Sequence, residues 1–169
     1  SVGEVDHLVA ERVWQEMARG LMEATPSRLF TTLHTCGALV RIAPPLARLL
    51  DSPVGATTLA RLDQAAQRNF PLTVRWATLL RDGDQANALS QALRAPVECR
   101  ELAVLAQITH DALAELPATS ADAQVDVLTQ SDAFRRPERF ELLLDACLLD
   151  QPDADRLRER WQRALTAAR

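Results

Sequence analysis

Hydrophobic positions recur at helical spacing along almost the whole chain, and alternation of the strand type is nearly absent. Val9, Val13, Met17 and Leu21 repeat at i+4 through a stretch rich in Glu, Arg and Ala, which predicts a first helix over about residues 8–24. Thr25-Pro26-Ser27 breaks that pattern and starts a second helix, with proline suited to a first turn. Leu29, Phe30 and Leu33 mark the second helix's buried side, and Gly37 stands where a helix C′ residue belongs. Pro44-Pro45 opens a short third segment, Leu46 to Leu50, and Asp51-Ser52-Pro53 with Gly55 reads as a loop.

The helices then follow closely. Thr58 to Asn69 is modestly amphipathic and ends before Pro71. Leu72, Val74, Trp76, Leu79 and Leu80 are too dense an apolar set for a surface helix, so this element is expected at the centre. Asp82-Gly83-Asp84 breaks it. Pro96 starts a long helix with Leu102, Leu105, Ala106, Ile108 and Leu113 on its inner face. Thr119-Ser120-Ala121-Asp122 has the spacing of a helix start with an early acidic residue. Pro137 opens a helix with Phe140, Leu143, Leu144 and Cys147 inward. A last helix from about Asp153 sets Leu157, Trp161 and Leu165 inward and alternates Arg with acidic residues outside. The expected class is all-α, a multi-helix bundle of nine or ten helices. A composition shift near 51–56 divides a small helical unit, 1–52, from a larger body, 53–169.

Composition narrows the function more than it refines the fold. The chain has 169 residues, 47% hydrophobic and 25% charged, enough to bury a core. No apolar run approaches the roughly 20 residues of a membrane span. Glu4, Asp6, Glu11 and Arg12 leave the first residues unlike a signal peptide. A net charge of −4 argues against gripping nucleic acid by bulk positive charge, so any such contact needs a local patch. All 19 basic residues are Arg, which reads as coding bias, since surface positions avoid Lys too. Three widely spaced cysteines, Cys36, Cys99 and Cys147, fit neither a disulfide framework nor a zinc knuckle. They read as small core residues, and the expected setting is reducing and cytoplasmic.

Catalytic constellations are missing from the text. The five glycines are scattered, so no phosphate cradle can be drawn. There is no His-Glu-x-x-His and no paired Cys. His110-Asp111 could serve a metal, but His7 and His34 are its only other imidazole partners and lie in the first two helices. The plainer reading is a histidine paired locally with a carboxylate or with a helix C-terminus.

Four segments, in order, do carry a pattern. They are Glu11-Arg12-Val13-Trp14-Gln15-Glu16 with Thr25-Pro26-Ser27-Arg28-Leu29-Phe30 and Cys36-Gly37-Ala38-Leu39; Arg75-Trp76-Ala77-Thr78-Leu79-Leu80-Arg81-Asp82; Leu93-Arg94-Ala95-Pro96-Val97-Glu98-Cys99-Arg100-Glu101-Leu102-Ala103; and Asp132-Ala133-Phe134-Arg135-Arg136-Pro137-Glu138-Arg139-Phe140. Together they resemble the C-terminal part of the bacterial class II CCA-adding enzymes, the tRNA nucleotidyltransferases that build the tRNA 3′ end. The resemblance spans nearly the whole chain.

That resemblance implies a neck (1–52), a body related to HD phosphohydrolases (53–169) and tRNA as partner. In the family, the polymerase head lies N-terminal to the matched region. It carries Gly-Ser and Asp-x-Asp motifs for two magnesium ions and an Glu-Asp-x-x-Arg template for CTP and ATP. None of these motifs occurs in the 169 residues, so no catalytic residue, magnesium site or nucleotide site is assigned to this chain. Where the family's phosphohydrolase site has His-Asp, the chain has Arg81-Asp82. Thr57 stands near the upstream metal histidine, and the histidine-rich loop after that site is missing. Asp82 and Asp150 survive in that comparison, which makes a poor transition-metal site and implies a lost phosphohydrolase.

Candidate residues follow from the same resemblance. Arg135, Arg136 and Arg139, three cations within five residues at a loop-to-helix junction, are candidates for RNA phosphates, which position without reading sequence. The competing reading pairs Arg135 and Arg139 with Glu138 and Glu141 around a helix start. Arg156, Arg158, Arg160 and Arg163 read as a solvated face neutralised by Asp153, Asp155 and Glu159. Glu11, Arg12 and Glu16 brace the neck against the head in the family and should otherwise face water. Two alternatives from other classes stay open: a standalone helical interaction module, and a metal-dependent HD phosphohydrolase.

Overall fold

A computed structural model describes residues 2–115 and 120–169, with side chains from Val9 onward. It contains eleven helices and, among the described residues, no strand. In order they are α1 (Val2–Leu21), α2 (Ser27–Thr35), α3 (Ala38–Ile42), α4 (Pro44–Asp51), α5 (Gly55–Gln67), α6 (Leu72–Leu80), α7 (Ala86–Ala92), α8 (Val97–Ala114), α9 (Ala121–Gln130), α10 (Pro137–Leu148) and α11 (Ala154–Ala168). The all-α expectation holds; the count exceeds it, because α3 and α7 are too short to leave a periodic signature.

Local chemistry places several ends where the text put them. Gly37 has φ of 81°, the left-handed conformation that separates α2 from α3 without a Cβ penalty. Prolines stand in the first turns of α4 and α10. Ser120 caps α9 by accepting a 3.3 Å bond from the Ala123 amide; Thr119 lies outside the described residues. α2 has no cap of its own: Asp63 of α5 accepts from the Ser27 amide and hydroxyl at 3.0 and 2.6 Å. Asp51 and Gly55, expected in a loop, close α4 and open α5, leaving a turn at 52–54.

α6 is the central element, as its density of apolar residues demanded: Val74 to Leu80 are all buried. It packs against α8, α5, α10 and α1. Trp76 meets Trp14 edge-on, ring centres 5.1 Å apart, and donates its indole N–H to the Ser90 hydroxyl at 3.0 Å. One buried cluster runs from Trp14, Met17, Leu21 and Phe30 through Trp76 to Phe140 and Trp161, so apolar packing crosses the turn at 52–54.

Three side chains depart from the pattern reading. Val9 is 57% exposed, whereas Trp14, Met17 and Leu21 of the same helix dock into the core. Ile108 is 52% exposed. The inner arc of α8 is Cys99, Leu102, Ala103, Ala106, Thr109 and Leu113, and Ile108 falls on its far side. Cys36 is exposed at the end of α2, whereas Cys99 and Cys147 are buried as expected.

Candidate functional site

Helix packing gathers two arginines and two aspartates from distant parts of the chain. Arg61 lies on the buried arc of α5 beside Thr58, Leu62 and Ala65. Arg81 and Asp82 follow the last residue of α6, and Asp150 lies just past α10. Arg61 donates from Nη2 to Asp82 and from Nη1 to Asp150 Oδ2 at 3.4 Å. Arg81 donates to the same Asp150 oxygen at 2.7 Å and to the Ala146 and Cys147 carbonyls at 2.9 and 3.0 Å. Both guanidiniums are buried, while the carboxylates keep about a fifth of their surface exposed (18% and 20%).

The electrostatics follow from that arrangement. Burial, then the neighbouring Arg81 cation, lowers the Arg61 pKa, and the two carboxylates oppose the shift. Burial pushes the Asp150 carboxyl up. The Arg81 hydrogen bond and the charges of Arg81 and Arg61 outweigh it and hold Asp150 below the usual range. Cys147, behind the cluster, has its thiol pushed up to about 12 by burial and is no nucleophile. His110 completes the edge, with Nε2 3.8 Å from Asp82 Oδ1 and Nδ1 3.3 Å from Asp111 Oδ1. The local carboxylate pairing expected of it is present.

These residues do not fit a metal. Among the described residues no three His, Cys, Asp or Glu side chains converge as ligands. A divalent cation between Asp82 and Asp150 would meet two guanidiniums already bonded to those carboxylates. Thr57 is exposed; the residue of that stretch facing the cluster is Thr58, whose hydroxyl lies 3.4 Å from Arg61 Nη2. Sequence reasoning missed Arg61. Its signal was an arginine spaced i+3 from Thr58 and i−1 from Leu62, on an otherwise apolar arc.

The arginine trio at the start of α10 is tied down. Arg136 and Arg139 share Glu101 Oε2 of α8 at 3.2 and 3.0 Å, and Arg135 bonds Asp132 at 2.9 Å. The partners are therefore Glu101 and Asp132, not Glu138 and Glu141; Glu141 turns to Arg158 and Gln162 of α11. Arg135 and Arg136 remain accessible (79% and 46% side-chain exposure), whereas Arg139 is mostly covered (15%). Glu11, Arg12 and Glu16 are all exposed on α1, and Glu16 pairs with Arg19 at 3.3 Å. Arg158, expected on a solvated face, instead bonds Glu141 and Asp145 of α10. No helix among the described residues is long and apolar enough to cross a membrane.

Comparison with known proteins gives these positions a context. No family model and no solved structure matches the chain. A multifunctional CCA protein from Azoarcus sp. is 42% identical over 205 residues, covering 99% of this chain and 50% of that protein. One from Aromatoleum aromaticum is 43% identical with the same coverage. A CCA-adding enzyme from Bordetella bronchiseptica is 44% identical over 168 residues, 98% of this chain and 44% of that protein. The chain spans about half the length of the curated relatives it matches. The 205-residue spans exceed the chain's own 169, so those two relatives carry inserted residues that this chain lacks. The 168-residue match needs no such insertion. At this identity over nearly its full length, the chain belongs to the CCA-adding enzyme family, as the counterpart of one part of such an enzyme.

Proposed function

We propose that this chain is the tRNA-positioning, C-terminal part of a cytoplasmic CCA-adding enzyme, neck over 1–52 and body over 53–169, whose HD-type phosphohydrolase centre is lost. The observation carrying the second clause is the pair of buried guanidiniums, Arg61 and Arg81, bonded to both surviving carboxylates. Substrate and metal would have to displace those bonds, and burying the freed cations unpaired is costly. The relatives named multifunctional hold the inserted residues, and the relative named CCA-adding enzyme does not, which supports the single-activity reading.

In this reading nucleotide addition, with magnesium, CTP and ATP, belongs to a head region outside these 169 residues. Arg135 and Arg136 present accessible guanidiniums to tRNA phosphates, held by exposed pairs that exchange at little cost. Arg139 anchors the junction.

The chain incubated with 2′,3′-cyclic nucleotides or phosphomonoesters and nickel, manganese or magnesium is expected to show background hydrolysis. Metal-dependent turnover abolished by Asp82→Ala would overturn the loss. With CTP, ATP, magnesium and truncated tRNA, the 3′ end is expected to stay unchanged; extension by one residue would relocate the nucleotidyltransferase centre. The tRNA reading requires that Arg136→Glu weaken binding equally for two unrelated tRNAs, since phosphates carry no sequence.

A further inference from the structure

We infer that three arginines of α11, Arg156, Arg160 and Arg163, form a second track for the phosphate backbone of tRNA; the inference rests on the tRNA-positioning reading above. Their spacing, i, i+4 and i+7, puts them on one strip of the helix. The strip runs over seven residues, about 10 Å at 1.5 Å per residue, which matches about three successive phosphates of one strand.

Charge accounting separates this strip from the arginines of the buried cluster, of the α10 junction and of Arg158. Arg61 and Arg81 are consumed by Asp82 and Asp150. Arg135, Arg136 and Arg139 share Glu101 and Asp132. Arg158 of the same helix turns to α10, where Glu141 and Asp145 neutralise it. No ion pair among the described residues joins Arg156, Arg160 or Arg163 to a carboxylate, although Asp155 and Glu159 lie on the same helix. A phosphate arriving there breaks no existing pair.

The surroundings are shaped to receive it. Arg156 and Arg160 line a hollow with Gln151, Asp153 and Leu157, and Arg163 lines a second with Glu159 and Gln162. Arg156 and Arg163 are exposed, and Arg160 is half-buried. The guanidinium fork matches two phosphate oxygens at once.

The test is a fluorescence-anisotropy titration of labelled tRNA with the whole 169-residue chain between 25 and 200 mM salt (on the order used for phosphate-dominated binding). Arg156→Gln, Arg160→Gln and Arg163→Gln are combined in one variant, with Arg135→Gln/Arg136→Gln as comparison. Losing three phosphate contacts is expected to flatten the slope of log affinity against log salt by about two to three. At about 50 mM salt that corresponds to roughly a hundredfold loss or more. Thermal unfolding should be unchanged, because no partner of these arginines is left behind. A triple variant that keeps the wild-type affinity and slope overturns the track. If the loop variant alone loses affinity, the track falls and the tRNA reading stands. If the wild-type chain binds no tRNA at the lowest salt, both fall.

Discussion

Arg81 donates to one carboxylate and two carbonyls from a site that water barely reaches. Its replacement by methionine would leave Asp150 with only the longer bond from Arg61 and strip two carbonyls of their donor. Breaking a buried pair costs about 3–5 kcal/mol, and carboxylates that keep some exposure recover part of that by hydration. Arg81→Met is therefore expected to lower unfolding stability by about 2–3 kcal/mol in a urea titration. A change under about 0.5 kcal/mol would show that the cluster contributes nothing to the fold. Asp150 adds a pH dependence. Its carboxyl titrates lower when folded than when unfolded, so it stabilises the fold above the unfolded carboxylate range. That contribution is lost as pH falls through the folded value, below about pH 4. Melting temperature between about pH 5 and 2 should fall more steeply for the wild type than for Asp150→Asn; parallel curves would remove Asp150 from the acid transition.

Between helices, Arg75 does for α1 what no residue of α1 does. α1 ends at Leu21; the Met22 and Glu23 amides serve the Ala18, Arg19 and Gly20 carbonyls, and the Leu21 carbonyl is left for another donor. Arg75 of α6 is buried and donates to the Leu21 and Glu23 carbonyls at 2.9 and 3.1 Å and to Phe70 at 2.7 Å. No ion pair among the described residues neutralises it, so it places a cation at the negative end of the α1 dipole. Burial lowers its pKa. Arg75→Met is expected to cost about 3 kcal/mol, since charged donors to buried carbonyls contribute about 1.5–3 each and act together. Hydrogen exchange should accelerate in the last turns of α1 more than in α10, and Arg75→Lys should restore only part, lacking the fork. Uniform acceleration would mean that Arg75 supports the whole core rather than this junction. At the α2–α3 turn, a Cβ on Gly37 would meet nothing within 4 Å. Gly37→Ala should therefore cost only the backbone term, about 1–2 kcal/mol by thermal unfolding.

Across the turn at 52–54, three kinds of contact tie the two proposed units together: the Trp14–Trp76 ring pair, the Arg75 bonds and the Asp63 cap on α2. Expressed alone, 53–169 would keep Trp76 but lose Trp14, and Arg75 would be left with one of its three carbonyls. That piece is expected to unfold at least about 10 °C below the whole chain, because a loss of several kcal/mol shifts a domain of this size by about 2–4 °C per kcal/mol. An unchanged melting temperature would establish the body as energetically independent of the neck.

The helices were legible because their signals are local. Periodicity at 3.6 residues, prolines at 44, 96 and 137 and a left-handed glycine at 37 each act within one turn of chain. The Arg81-Asp82 pair was legible for the same reason, being two adjacent letters of the sequence. Periodicity could not say that Val9 would be exposed and Trp14 buried on the same helix. Nor could it bring Arg61 and Asp150 to either side of Arg81, since Arg61 lies 21 positions from Asp82 and 89 from Asp150, and Arg81 lies 69 positions from Asp150. The arginines near 135–139 showed their charge in the text, but Glu101, which neutralises two of them, arrives from α8 across 35 and 38 positions. Charge is a property of a residue. Whether that charge is free to meet a phosphate depends on which carboxylate the packing of helices sets beside it.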